Sequence, residues 1–95
     1  MDHERGKQAL GAIDKLLKER PDKVGHDFSE ATRLVASYRD MLAEDWRRTN
    51  AEPAHDRLAA VNAVLSVMVG GHFPLGAIPW QHIERAREQL AKILG

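Results

Sequence analysis

The chain of 95 residues contains 14 lysine and arginine residues and 14 aspartate and glutamate residues, so its formal net charge at pH 7 is zero. A neutral chain has no overall field that draws it to nucleic acid or to an anionic membrane surface. It contains no cysteine, which excludes disulfides, thiolate nucleophiles and cysteine metal sites. The length predicts one domain, and the polar N-terminus does not resemble a secretory signal, so we expect a cytoplasmic location.

The first helix is predicted at about residues 5–20, ending before Pro21, because apolar side chains recur at helical spacing on one face. Gly6 and Gly11 each cost a helix about 1 kcal/mol relative to alanine, so we expect its first turns either to fray or to provide a surface for close packing. The apolar stripe consists of Leu10, Ile13, Leu16 and Leu17.

The second helix is predicted at about residues 28–48. Asp27 precedes Glu30 by three residues, which resembles a capping box with Asp27 as the cap. Apolar residues then follow at the spacing of a buried helical face. They are Phe28, Ala31, Leu34, Val35, Tyr38, Met41 and Leu42.

The third helix contains an uncharged stretch of 14 residues, 58–71, in a protein that is 29% charged. A helix needs about 20 apolar residues to cross a bilayer, so this stretch predicts no membrane span and instead an element in the middle of a helical bundle. We place this helix at about residues 53–69. Pro53 suits its first turn, and Gly70 and Gly71 are predicted to end it.

The last helix is predicted at about residues 79–94, opened by Pro79. No strand pattern or internal repeat occurs, so the sequence predicts an all-α, compact four-helix bundle-like single domain over residues 1–95. The buried stripe of the last helix consists of Trp80, Ile83, Ala86, Leu90, Ile93 and Leu94.

The five histidines form no obvious ligand set, since no pair has i,i+4 spacing on one helix and no His-Glu-x-x-His motif occurs. The two His-Asp dipeptides lack the rest of a phosphohydrolase signature, and no serine lies in a nucleophile elbow. The sequence therefore predicts no catalytic residue, no cofactor and no metal site. A histidine-dependent metal protein or enzyme is the least favoured alternative, and it requires at least three histidines to converge. The histidines are His3, His26, His55, His72 and His82.

The segment 70–80 is an uncharged connection that is rich in apolar and aromatic residues. It either folds back as a lid on the bundle or presents an apolar patch to a partner. Rigid aromatic side chains are good interface anchors, so we assign the partner-binding surface to this segment. The assigned residues are His72, Phe73, Leu75, Ile78 and Trp80.

Asn62 and Ser66 are four residues apart and therefore share one face of the third helix. They either hydrogen-bond to the backbone or to each other and fix the packing register, or they line a cleft or a homodimer seam.

The favoured function is a non-enzymatic protein-interaction module, an accessory or regulatory protein that docks on a partner protein or forms a homodimer. Its alanine and arginine usage suggests a bacterial or phage genome. Nucleic-acid binding is not expected from the balanced charge; in the alternative of a small DNA-binding regulator, Arg85 and Arg87 of the last helix would make the contacts.

Overall fold

A computed structural model describes residues 3–50, 52–72 and 76–95, with only the backbone described at His72. It contains four helices, α1 (Glu4–Glu19), α2 (His26–Thr49), α3 (Glu52–His72) and α4 (Trp80–Leu94), and the described residues include no strand. The predicted all-α, four-helix fold is confirmed.

The helices form a closed ring in which each packs against two others. α1 contacts α2 and α4, and α3 also contacts α2 and α4. The short connections make consecutive helices antiparallel, as in an up-and-down bundle. The core receives side chains from every helix, and its largest fully buried members are Tyr38, Phe28, Ile13, Leu16, Leu42, Met68, Ile83, Leu90, Val35, Val61 and Val64.

Two helices of the ring are longer than the other two. α2 and α3 have 24 and 21 residues, whereas α1 and α4 have 16 and 15. The rings of Phe28 and Trp80, at the starts of α2 and α4, lie 6.4 Å apart, so the helices are aligned at that end. At the rise of 1.5 Å per residue, the far end of the α2–α3 pair extends about 10 Å beyond α1 and α4. We call this part, residues 43–49 and 52–58, the projecting hairpin.

The predicted capping box on α2 is wrong. The helix begins at His26, and Gly25 occupies the N-cap position. No side chain makes a capping hydrogen bond at this end of the helix. Asp27 lies inside the first turn, where its negative charge interacts favourably with the helix dipole. Its Oδ2 atom is 3.6 Å from Lys15 Nζ. Glu30 pairs with Arg33 instead, and the hydrogen bond from Arg33 lowers the pKa of Glu30.

The predicted end of α3 at Gly70 and Gly71 is also wrong, because the helix continues to His72. A Cβ atom at Gly71 would lie 2.9 Å from Phe28 Cζ. The missing side chain therefore lets the Phe28 ring pack directly against the backbone of α3. This tertiary contact offsets the low helix propensity of glycine, about 1 kcal/mol.

The two glycines of α1 have opposite surroundings. A Cβ at Gly6 would lie 2.6 Å from Leu94 Cδ2 and 2.8 Å from two atoms of the Tyr38 ring, whereas a Cβ at Gly11 would meet nothing within 4 Å. Gly6 is therefore the close-packing position that the sequence allowed for in the first turns. It fixes the start of α1 against α2 and the end of α4.

We expect Gly6→Ala to lower the free energy of unfolding by about 1–3 kcal/mol, because the buried Tyr38 ring and Leu94 must shift. Gly11→Ala is the matched control in the same helix, and it should raise stability by up to about 1 kcal/mol through helix propensity. Urea unfolding followed by circular dichroism measures both. Equal effects of the two substitutions would contradict the close packing at Gly6.

Tyr38 is fully buried, and its hydroxyl is 2.8 Å from His3 Nδ1. Burial raises the pKa of Tyr38, and the charge of Arg57 opposes this only in part. The folded state thus favours the neutral phenol. The resulting stability is present below the pKa of the unfolded chain and is lost as the pH rises through the higher pKa of the folded state.

Tyr38 is the one tyrosine of the chain, so its ionisation can be followed by ultraviolet absorbance without interference. We expect the native protein to ionise at higher pH than the urea-unfolded chain. Tyr38→Phe should remove the corresponding loss of stability at alkaline pH. Coincident titrations of the native and unfolded chains would contradict the burial of this hydroxyl.

Candidate functional site

The apolar segment before α4 contributes to the core. Ile78 is 6% exposed and belongs to the core cluster, so it is not available as a surface anchor, contrary to its assignment to the partner-binding surface. Trp80 is half-buried, and its ring packs at 56° to the ring of Phe28. Ile78 is thus buried as the lid alternative predicts, whereas Trp80 is only partly buried. The side chain of His72, together with Phe73 and Leu75, lies outside the described residues.

Asn62 and Ser66 line a groove of about 660 Å³ that is open to solvent between α2 and α3. Asn62 Oδ1 accepts a hydrogen bond from Arg39 Nε at 3.0 Å, and a second nitrogen of Arg39 donates to Asp40 at 2.9 Å. The polar contact of Asn62 is therefore to α2. The six lining residues are Arg39, Asn62, Leu65, Ser66, Val69 and Gly70.

The chemistry of this groove suits binding. Arg39 is the one charged lining residue, and the lining set includes no histidine or carboxylate that could serve as the base for Ser66. The groove offers apolar contacts and a guanidinium held by two hydrogen bonds. Sequence reasoning missed Arg39, since its helical position gives no sign that it reaches α3.

The groove adjoins an uncharged surface, which we call the α3 outer face. Val69 on this face is 45% exposed and is the large hydrophobic side chain with the greatest exposure among the described residues. The spacing of its members places them within one third of the helix circumference. They are Ala59, Asn62, Ala63, Ser66, Val69 and Gly70, and all are exposed except the half-buried Asn62.

Among the described residues, no three histidines lie close enough together to bind one metal ion. One group of metal-ligating side chains does occur among the described residues, formed by Glu52, His55 and Asp56, whose ligand atoms all lie within 4.8 Å of one another. It combines a single imidazole with two carboxylates. The second His-Asp dipeptide supplies two of these residues, and Glu52 completes the group three residues before His55, a spacing that is visible in the sequence.

The two arginines assigned to nucleic-acid contact differ in their surroundings. Arg85 is exposed, whereas Arg87 Nε donates to Asp14 Oδ1 at 2.7 Å and its Nη1 donates to Glu88 at 3.2 Å. The bond to Asp14 raises the pKa of Arg87. Arg87 thus joins α4 to α1, and the ion pair between Arg20 and Glu84 joins the same two helices.

Comparisons with protein-family models, with characterised proteins and with solved structures find no match to this chain. None of the described helices has the length and apolarity needed to span a membrane.

We expect Trp80→Ala to lower the free energy of unfolding by about 2 kcal/mol, less than for a fully buried tryptophan, because part of the side chain is already exposed to solvent. Gln81→Ala changes the exposed neighbour and should have little effect. Thermal unfolding of both variants distinguishes a packed side chain from a free surface anchor. Unchanged stability in Trp80→Ala would favour the anchor.

Proposed function

We propose that this chain is a non-enzymatic protein-interaction module that associates with a second copy of itself through the α3 outer face and the adjoining groove. The observation that supports the proposal is the exposed, charge-free surface of α3, with Val69 at 45% exposure, on a protein whose composition is 29% charged. An uncharged surface of small residues around an exposed valine allows close contact with a partner surface.

The composition of the face favours a second copy as the partner. The α3 outer face has no charged residue, so the α3 helices of two copies can meet about a two-fold axis without placing like charges opposite each other, and Arg39 in the groove is already bonded to Asn62 and Asp40. Alanine, serine and glycine at positions 59, 63, 66 and 70 allow close approach of two helix backbones. A stable interface buries about 800 Å² per partner, which exceeds one helix face and requires the groove surface of α2 as well.

A small chain also gains from association. A domain of this length buries only about 60–65% of the surface of its unfolded chain, so its own core leaves a small margin of stability. Burial of Val69 and its neighbours in a dimer would add apolar contact without adding residues.

The other function classes have less support. The groove lining contains no nucleophile with a neighbouring base, and Arg87 of the DNA-binding alternative already donates to Asp14 and Glu88. The proposal therefore stays with protein interaction.

Light scattering behind a sizing column, from about 10 μM to about 1 mM protein, tests the proposal. We expect a dimer that persists as salt concentration rises, because the face is uncharged. Val69→Lys should raise the dissociation constant at least about tenfold, since the new charge would be buried near Arg39. Gln89→Lys adds the same charge at an exposed position of α4 and is the matched control.

Three outcomes would contradict self-association through this face. They are a monomer at every concentration, a dimer that dissociates as salt rises, and equal weakening by the two lysine substitutions. Circular dichroism of each variant separates a lost interface from a lost fold.

A further inference from the structure

The projecting hairpin contains a cluster of metal-ligating groups one turn before the α3 outer face, on the same side of α3. Glu52, His55 and Asp56 stand at positions i, i+3 and i+4, so they share one face of the first turns of α3. Their ligand atoms lie within 4.8 Å of one another, and His55 Nδ1 is 4.0 Å from Asp56 Oδ1. All three residues are exposed, so small rotations can bring the atoms to the separations of about 3 Å found around one bound ion.

The donor set determines the class of ion. One imidazole nitrogen and two carboxylates suit Zn²⁺, Ni²⁺ and Cu²⁺, whereas Mg²⁺ and Ca²⁺ prefer oxygen ligands alone. Acidic residues in a first turn also stabilise a helix through its dipole, but the imidazole at this spacing has no such role. We propose that Glu52, His55 and Asp56 bind a divalent transition-metal ion at the surface, with water completing its coordination.

The surroundings of His55 favour an ordered ligand. Trp46 lies on α2 in the projecting hairpin, and its ring is 5.4 Å from the His55 ring. This contact limits the positions of the imidazole, so less side-chain freedom is lost when an ion binds. The two carboxylates supply the negative charge that offsets the positive end of the α3 dipole. The site uses different residues from the α3 outer face but adjoins it at Ala59, and metal binding is measured separately from the oligomeric state.

Isothermal titration of the full chain with ZnCl₂ tests the site. We expect saturable binding of one ion per chain. His55→Ala and Glu52→Gln should each weaken binding at least about tenfold, because loss of a direct ligand costs no less than loss of an outer-shell partner. His82→Ala removes another exposed histidine, on α4, and should leave the affinity unchanged.

The fluorescence of Trp46 provides a second readout, which depends on where the ion binds. Trp80→Phe leaves Trp46 as the one tryptophan, and CuCl₂ should then quench its fluorescence to saturation. The added substitution His55→Ala should abolish this saturable quenching.

The proposal is overturned by the absence of saturable Zn²⁺ binding, or by unchanged affinity in either His55→Ala or Glu52→Gln. It is also overturned by equal weakening in His82→Ala, which would indicate unspecific capture by exposed histidines. All four substituted side chains are exposed or half-buried, so we expect the variants to remain folded, and circular dichroism of each variant checks this.

Discussion

The contact at Gly6 determines how far the four helices overlap. Because Gly6 has no side chain, the Tyr38 ring and Leu94 reach the backbone of α1, and the start of α1 and the end of α4 are fixed at the level of Tyr38. α2 continues from there to Thr49, and α3 returns from Glu52. The projecting hairpin follows from this register, since no helix of the short pair extends alongside it.

The ring arrangement explains why the most apolar helix is not fully buried. When four helices pack in a square, each contacts two neighbours and retains an outward surface, whatever its composition. An amphipathic helix places charged residues on that surface, as α1 and α4 do. The stretch 58–71 has none to place there, so α3 buries Val61, Val64 and Met68 and still exposes Val69. This exposed apolar area of α3 is the physical basis of the proposed self-association.

Two ion pairs join the side of α1 to α4. The pairs of Arg87 with Asp14 and of Arg20 with Glu84 cross from one helix to the other, where the two helices share an exposed seam. Exposed ion pairs add little stability, but they favour one rotational setting of the two helices over others. The two sides of the bundle therefore differ, with ion pairs joining α1 to α4 and a groove between α2 and α3 in which Arg39 is the one charged lining residue.

The sequence by itself determined the four helices, their order and most of the core, because helical periodicity and proline positions are local signals. Gly6 as a close-packing position was also within its reach, although its contacts with Tyr38 and Leu94 were not. Only the tertiary structure decided that α3 continues through Gly71, since the Phe28 ring that packs there comes from another helix. The same holds for the bond between Arg39 and Asn62 and for the burial of Ile78. Each depends on how helices are rotated and aligned against one another or on which side chains a fold leaves exposed, and periodicity within one helix does not contain that information.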